Sequence, residues 1–502
     1  MKGSKQIKIG AILSYLSIAF NIISGLIYTP WMIEQIGDAS YGLYTLSTSL
    51  ISLFLVDFGL SLATSRYVAK YRAEGQQEKV DNFLGVVYKL YLIIDAVIFI
   101  VLLVIYFLLE TIYVNLTPLE IEQLKVVYII SASFAVINFP CVTFTGVLNA
   151  YEKFIQLKIA DLAYRVLLVG MTVVALILGY GLYALVAVHA IVGLIKVLYK
   201  FIVIKRTTPV KSNMRYSNRN LYKELLGFSV WVTIASLALR LIFNITPSIL
   251  GIVSGSVAIA IFGIVTTIEQ YAYTITNAIN GMFMPTISKI YANNGENNIN
   301  PLFLKVGKFQ YIINGLIISG FAVVGRLFID LWVGNDFQLA YYGILLVLIP
   351  GLFYNSLQIG HTAMTVRNRV KEQALVHLVT GVINVALAFA FSYAMGVVGA
   401  CLAIFISCMI RSIIFNIMYQ KVLGLDIKTF AVQCYIKLSI PIIISIAIGT
   451  ISNYFIPFDR WIQLIIVGCI TVISYFLGVV IFGLSKKEKI QIATFIKKKI
   501  KR

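Results

Sequence analysis

The chain has 502 residues, of which 60% are hydrophobic and only 12% are charged, and its formal net charge is +20. Soluble globular proteins carry about 25% charged and about 45–50% apolar residues, so this composition cannot supply the surface of a water-soluble fold. It excludes a cytosolic enzyme, a nucleic-acid binder and a disordered tail protein, and it predicts a polytopic membrane protein.

Fourteen apolar stretches are long enough to cross a bilayer as helices, since a hydrocarbon core of about 30 Å takes about 20 helical residues. They lie near residues 9–31, 40–63, 83–108, 124–148, 161–180, 183–204, 225–250, 257–281, 307–331, 339–360, 373–395, 397–418, 433–455 and 461–483. Their apolar residues run continuously instead of alternating, which argues against a β-barrel. We therefore expect an all-α polytopic membrane protein with about 14 transmembrane helices.

The basic residues alternate with the predicted spans, and this pattern predicts the topology of the chain. Basic residues gather in every second loop and in the segments 205–224 and 486–502. Lys158 and Arg165 are among the residues assigned to these loops. Acidic residues such as Asp336 fall in the opposite loops. Because cytoplasmic loops carry the excess of Lys and Arg, both termini are predicted to be cytoplasmic. The positive charge is thus explained by topology, and no nucleic-acid partner is expected.

A weak internal repeat at a separation of roughly 215–220 residues predicts the domain organisation. Among its matches, Thr29-Pro30 recurs as Thr246-Pro247, and Pro140 has a counterpart in Pro350. Two copies of six helices enter the membrane in the same orientation, which predicts two pseudo-symmetric six-helix lobes around a central cavity. The predicted parts are an N-terminal lobe at 1–204, a basic cytoplasmic linker at 205–224, a C-terminal lobe at 225–420, helices 13 and 14 at 421–485, and a basic cytoplasmic tail at 486–502.

Four prolines are candidate hinges, because a proline removes a helical hydrogen bond and can kink a span. They are Pro30, Pro140, Pro247 and Pro350. Membrane helices also carry prolines that gate nothing, so a purely structural role is the alternative.

Arg240 and Glu269 are ionisable residues inside predicted spans, where insertion costs about 2.5–3.5 kcal/mol for a charged residue. They lie on the hairpin of spans 7 and 8 at depths that differ by only about 3–5 Å. They could form a structural ion pair, or they could line a watered cavity and bind an anion and a cation respectively. Arg411 and His189 are weaker examples of charge at membrane depth.

Two aspartates near spans 2 and 3 complete the set of ion-coupling candidates, which is Asp95, Asp57 and Glu269. Asp57 and Lys89 lie close to the cytoplasmic interface, where a structural pair or a snorkelling lysine is expected. Asp95 lies near mid-membrane without an evident partner, so it is either a protonatable coupling site or an outward-packed neutral residue.

No sequence motif indicates a cofactor, a metal or an enzymatic reaction. The five cysteines lie in apolar runs without a CxxC pair or a histidine at ligand spacing, so neither disulfides nor a metal site is expected. Motifs for phosphate loops, zinc proteases and serine hydrolases are missing, and the loops are short. The chain is therefore predicted not to be an enzyme.

Three blocks near the N-terminus resemble the opening of the polysaccharide flippases (Wzx type). They are IGDASYGLY at 36–44, DFGL at 57–60 and RYVA at 66–69, and MPTIS at 284–288 and the glycine-rich start of span 12 add to the likeness. These flippases belong to the superfamily of multidrug, oligosaccharidyl-lipid and polysaccharide exporters. The resemblance is diffuse and runs over nearly the whole chain.

The resemblance implies a bacterial inner-membrane protein that moves an undecaprenyl-diphosphate-linked oligosaccharide to the outer leaflet, for capsule, O-antigen or a related polymer. It implies alternating access driven by an ion gradient, with the lipid-linked oligosaccharide, membrane lipids and a polysaccharide polymerase or assembly machinery as partners. Arg240 would supply the fixed cation that a diphosphate needs, with Arg66 at the cytoplasmic entry. By analogy with related lipid II flippases, helices 13 and 14 would form a groove for the lipid tail.

Four other functions remain as alternatives. A lipid II flippase would need a more strongly cationic cavity than one deep arginine provides. A drug antiporter usually has twelve spans and acidic residues in its cavity. A membrane polymerase or glycosyltransferase would need a large outer loop, and a non-transporting scaffold would need neither the repeat nor the buried charges.

Overall fold

The computed structural model describes residues 2–54, 57–277, 283–294, 299–455, 460–485 and 488–489. Within them, the side chains of 2–12, 228–229, 284–285 and 292–294 are not described. Most of the predicted tail at 486–502 lies outside the described residues. The described part of the chain is helical and contains no β-strand, which confirms the all-α prediction.

The helices follow one another with short connections. Their bounds are α1 Lys2–Ile36, α2 Asp38–Phe54, α3 Leu60–Ala73, α4 Gln77–Ile112, α5 Pro118–Asn138, α6 Thr143–Ala150, α7 Phe154–Ile177, α8 Gly181–Thr207, α9 Arg219–Phe243, α10 Thr246–Val253, α11 Ser256–Asn277, α12 Met284–Asn294, α13 Asn300–Val333, α14 Leu339–Ser356, α15 Gln358–Val366, α16 Val370–Leu423, α17 Ile427–Phe430, α18 Lys437–Phe455 and α19 Arg460–Gly478. Two π-helical turns, Ala431–Ile436 and Val479–Gly483, adjoin α18 and α19.

Twelve helical stretches of the described chain are long and apolar enough to cross a membrane. Two further observations reconcile them with the fourteen predicted spans. The 54-residue α16 covers spans 11 and 12 and is broken at Gly396, whose φ of 56° and ψ of −132° are outside the helical region. The 17-residue α2 covers most of span 2 and is shorter than the twelve. Each predicted span therefore has a helical counterpart, and the chain is a multi-pass membrane protein.

The expectation of one continuous helix over 40–63 is wrong, because the chain turns between α2 and α3. Phe58 and Gly59 have positive φ values of 51° and 67°, which end one helix before the next begins. The Asp57 carboxylate accepts a hydrogen bond from the Ser61 backbone N–H at 3.2 Å, which satisfies one of the free donors at the start of α3. A short polar residue and a glycine thus replace the helix that hydropathy alone predicts.

Other helix ends follow the same chemistry. Thr117 and Glu120 form a reciprocal capping box at the start of α5, with Pro118 in the first turn. Asn218 accepts hydrogen bonds from two backbone N–H groups at the start of α9. These caps fix where the membrane helices begin.

The linker between α8 and α9 covers residues 208–218, which is shorter than the predicted 205–224 because both helices extend into it. It packs against the start of α4, where the Asn213 N–H donates to the Asp81 carbonyl at 2.9 Å. Gly85 permits this approach, since a Cβ there would lie 1.9 Å from the Asn213 carbonyl oxygen. The linker is thus bound to the unit that precedes it.

The chain divides into two compact units, one of residues 1–263 and 377–400 and the other of 264–376 and 401–502. In the first unit, α7 packs against α1 and α8, while α5 packs against α2 and α8. In the second, α13 packs against α14, α18 and α19. These units describe packing; the two pseudo-symmetric lobes at 1–204 and 225–420, which were inferred from a sequence repeat, stay a prediction.

Candidate functional site

A polar cavity of about 460 Å³ lies in the first unit among α1, α7 and α8. Its polar lining consists of Ser14, Ser17, Asn21 and Ser24 from α1, Lys158, Asp161, Tyr164 and Arg165 from α7, and His189 and Lys196 from α8. A cavity this polar, among helices that are otherwise apolar, is the candidate functional site of the protein.

Helical spacing puts these residues on one face of each helix. On α1 the polar residues recur at intervals of three or four, and on α7 Lys158, Asp161 and Arg165 do the same. The opposite faces of α7 and α8 carry exposed apolar side chains such as Leu167 and Leu198, which suit contact with lipid. The sequence therefore folds into three helices whose polar faces converge.

The cavity carries an excess of positive charge. Three cations, Lys158, Arg165 and Lys196, line it together with a single carboxylate, Asp161. Three positive charges less one negative charge leave a formal net charge of +2 on these four residues. Arg165 lies roughly 16 Å along α7 from its first residue, well inside the helix. Such a site attracts anions and repels cations.

Lys196 is the best-connected cation of the cavity. Its Nζ lies 2.8 Å from Asp161 Oδ1 and 4.8 Å from the centre of the Tyr164 ring. The Tyr164 hydroxyl in turn lies 3.1 Å from His189 Nε2. Asp161 and Lys196 are about 24 Å and 22 Å from the turn that joins α7 to α8, so the two helices bring them to the same depth. These four side chains thus form one connected polar network that joins α7 and α8 along the lining of the cavity.

Arg240, the arginine singled out in the sequence, lies on α9 in the first unit. Its Nη1 donates a hydrogen bond to the Ser52 backbone carbonyl, and Asn244 Nδ2 donates to the Ser52 hydroxyl at 2.7 Å. Ser52 is in the last turn of α2, where carbonyl groups lack helical partners and cations are favoured. Arg240 therefore joins α9 to the end of α2, and its role in binding substrate stays a proposal. Arg66 is exposed on α3.

Of the two alternatives for Asp57 and Lys89, a structural pair or a snorkelling lysine, the direct ion pair is not formed between these described residues. Asp57 Oδ1 instead accepts a hydrogen bond from the Tyr91 hydroxyl at 2.7 Å, and Lys89 Nζ donates to the Tyr216 carbonyl of the linker at 3.0 Å. Each group finds a nearer partner, because the turn at 57–59 redirects the aspartate towards α4. Asp95 is buried with 8% exposure, and its Oδ1 has no hydrogen-bond partner among the described residues. Its coupling role stays a prediction.

Glu269 interacts electrostatically with Arg411 in the second unit. Arg411 is only 5% exposed; its guanidinium lies 4.1 Å from the centre of the Tyr354 ring and donates to Cys408 Sγ at 3.3 Å. Arg411 is only a weak candidate by sequence, because its position at membrane depth does not identify its partner. The pairing of Glu269 with Arg240, one of the two alternatives drawn from the sequence, stays a hypothesis, and a double-mutant cycle tests it.

The four prolines occupy different helical positions. Pro30 and Pro350 lie inside α1 and α14, Pro140 lies in the 3₁₀ turn between α5 and α6, and Pro247 lies in the first turn of α10. Pro140 and Pro247 thus lie where two helical segments meet, while their action as hinges stays a prediction. Over the described residues, no group of three histidine, cysteine, aspartate or glutamate side chains is placed to hold a metal ion.

Residues 8–291, more than half of the chain, match the family described as polysaccharide biosynthesis protein. The chain belongs to this family. A protein of Shigella flexneri named as a candidate O-antigen transporter is 24% identical over 206 residues, which are 40% of this chain and 47% of that relative. The chain thus spans about half the length of this relative. The resemblance to polysaccharide flippases is confirmed.

Solved structures of two transporters share the fold. The lipid II flippase MurJ in an inward closed conformation has a TM-score of 0.74 at 16% identity, and 94% of this chain aligns with 98% of that one. An inward-facing multidrug transporter of the MATE family has a TM-score of 0.70 at 14% identity over 84% of this chain and 99% of its own. The relative and both structures are described as transporters or flippases.

Sequence reasoning missed most of the cationic cavity. Lys158 and Arg165 were assigned to a cytoplasmic loop, but α7 begins at Phe154 and includes both. Asp161 and Lys196 are not among the candidates from the sequence, because each is a single charged residue within an apolar stretch. The available signal was the spacing of polar residues on α1, at positions 14, 17, 21 and 24, which marks a polar face in an apolar helix.

Proposed function

We propose that this family member is a flippase that moves an undecaprenyl-diphosphate-linked oligosaccharide from the cytoplasmic to the outer leaflet by alternating access. The product would supply a surface polysaccharide, such as capsule or O-antigen. The observation that carries this proposal is the cationic cavity among α1, α7 and α8. Family membership and the relative named as an O-antigen transporter support it.

A diphosphate head group is the part of this substrate that crosses hydrocarbon with most difficulty. It carries concentrated negative charge, and an ion without a partner is costly in a low-dielectric medium. Lys158, Arg165 and Lys196 offer charge-assisted hydrogen bonds, and the planar guanidinium of Arg165 suits two phosphate oxygens at once. The serines and Asn21 of α1 provide neutral donors and acceptors for the hydroxyl groups of a sugar.

The setting proposed for this activity is the bacterial inner membrane, with both termini in the cytoplasm. The basic linker and the distribution of lysine and arginine support this orientation. A polysaccharide polymerase or assembly machinery would take the product on the outer side. An ion gradient would drive the cycle, with Asp95, Asp57 and Glu269 as coupling candidates and Arg66 at the entry.

A lipid II flippase is the second candidate, because MurJ shares the fold over 94% of the chain. The expected weakness of this alternative was a cavity with only one deep cation. The cavity in the first unit has three cations, so that objection no longer holds. The two candidates share a prenyl-diphosphate anchor and differ in the attached glycan.

The test is a leaflet assay with the purified protein in liposomes, with and without a proton or sodium gradient. One set of liposomes carries a polyprenyl-diphosphate oligosaccharide and the other carries lipid II. We expect protein-dependent exposure of the oligosaccharide on the opposite face, at least tenfold slower for Lys196→Gln or Arg165→Gln. Lys205→Gln, in the last turn of α8 and outside the cavity lining, is the matched control and should retain the wild-type rate. Faster movement of lipid II would favour the second candidate, and no movement of either lipid would refute both.

A further inference from the structure

The lining of the cavity includes one carboxylate, Asp161, and it forms an ion pair with one of the three cations, Lys196. Asp161 lies 2.8 Å from Lys196, with 37% and 26% of the two side chains exposed. Within the described residues, Asp161 makes no hydrogen bond to Lys158 or Arg165. A site built only to hold an anion would not need Asp161, because its charge weakens the attraction of every other anion.

We propose that Asp161 is a built-in competitor for the diphosphate of the substrate. An incoming phosphate oxygen takes the place of the Asp161 carboxylate on Lys196, and the carboxylate returns to Lys196 when the head group leaves. This inference rests on the proposed function, in which the cavity receives the diphosphate. It adds a residue that controls how tightly the substrate is held.

The physical need for such a competitor follows from the charges. Three cations in a low-dielectric cavity would bind a multiply charged diphosphate tightly, and a transporter whose site binds too tightly releases its cargo slowly. An intramolecular carboxylate is always present at high effective concentration, so it competes with the bound diphosphate for Lys196 and favours release. Between cargoes it also keeps Lys196 paired, which avoids an isolated cation in the membrane.

The surroundings of the pair permit this exchange. Both side chains line the cavity and are partly exposed, so a ligand can reach them without separating packed helices. Tyr164 holds the ammonium group from one side at 4.8 Å, which keeps Lys196 in place when the carboxylate departs. Lys200, one turn further along α8, instead donates to the Thr145 hydroxyl at 3.0 Å and is not part of the cavity lining. It provides a control lysine at a similar depth on the same helix.

The experiment measures two quantities on the full-length protein. Calorimetry at fixed low salt gives the affinity for inorganic pyrophosphate, and the leaflet assay gives the rate of lipid movement at saturating substrate. Asp161→Asn keeps the size of the side chain and removes its charge. We expect it to bind pyrophosphate about tenfold more tightly and to move the lipid several-fold more slowly at saturation. Because the competitor acts mainly through Lys196, Asp161→Asn should change both quantities far less in a Lys196→Gln background, whereas it should keep its full effect in Lys200→Gln.

The results separate this inference from the proposed function. If the wild type moves the lipid and binds pyrophosphate but folded Asp161→Asn binds no more tightly, Asp161 is a structural partner and the competitor is refuted. An equal gain in affinity with and without Lys196 would refute it as well, because a general charge effect would then suffice. If neither the wild type nor Asp161→Asn binds pyrophosphate or moves the lipid, the proposed function of the cavity fails and the competitor fails with it.

Discussion

At the scale of single residues, Arg411 is a buried cation whose charge needs an anionic neighbour. Its side chain is held by Tyr354 and Cys408, neither of which carries a formal negative charge, and its Nε has no hydrogen-bond partner in the described residues. Glu269 provides the acidic group that interacts with it electrostatically. Removing one of two opposite charges that act on each other in a buried setting leaves the other less well compensated, and this is more destabilising than removing both.

This argument predicts coupling between Glu269 and Arg411 in a double-mutant cycle. Glu269→Gln and Arg411→Met should each lower the free energy of unfolding, measured by SDS titration, and the double variant should lose about 1–2 kcal/mol less than their sum. Combining Glu269→Gln with Lys308→Met is the control and should be additive, because Lys308 pairs with Glu488. Strict additivity of Glu269 with Arg411, or equal coupling with Arg240, would contradict the assignment of the pair.

At the scale of elements, an ion pair binds the segment after the last helix to α13. Lys308 Nζ lies 3.0 Å from both oxygens of Glu488, and Lys308 is buried with 7% exposure. Burial alone would raise the pKa of the Glu488 carboxyl, but hydrogen bonds from Ser485 and the charge of Lys308 outweigh it and lower this pKa. Ser485 and Glu488 also form a reciprocal capping arrangement.

The lowered pKa fixes the sign of a pH effect. A carboxylate with a lower pKa in the folded state stabilises the fold above its unfolded pKa, and this contribution is lost as the pH falls through the folded pKa. We expect Glu488→Gln to lower stability at pH 7 by up to about 1 kcal/mol, since the carboxyl is partly exposed, and to lower it less near pH 3. Thermal unfolding in detergent at both pH values measures this. A deficit that is equally large at pH 3 would assign the effect to packing.

The helices could be predicted from the sequence because an apolar length of about 20 residues is a local property. The turn at Asp57 and the joining of spans 11 and 12 in α16 could not be predicted. Each depends on the backbone conformation at a single glycine, Gly59 in the turn and Gly396 in α16. The cationic cavity could not be predicted either. Lys196 and Asp161 are 35 positions apart in the chain, and only the α7–α8 hairpin brings their charges together. Arg240 could be recognised as deep, but its partner on α2 could not.

At the scale of the whole molecule, the number of crossings constrains the sidedness of every loop. The linker at 208–218 and the turn at 334–338 are separated by spans 7, 8 and 9, an odd number. They must therefore face opposite sides of the membrane, whichever side the termini occupy. The excess of lysine and arginine in the linker then predicts that the linker is cytoplasmic and that Asn335 is outside.

Single cysteines at these two places test both statements. In a background that lacks the accessible Cys141 and Cys469, an impermeant maleimide should label Asn335→Cys in intact cells and Ser212→Cys only after permeabilisation. Both positions are exposed, so accessibility reflects sidedness and not burial. Labelling of both from the same side would mean an even number of crossings and would remove one of the three spans. Reversed labelling would keep all three and place the basic linker outside, and the cationic cavity would then receive its anion from the opposite direction to the one proposed.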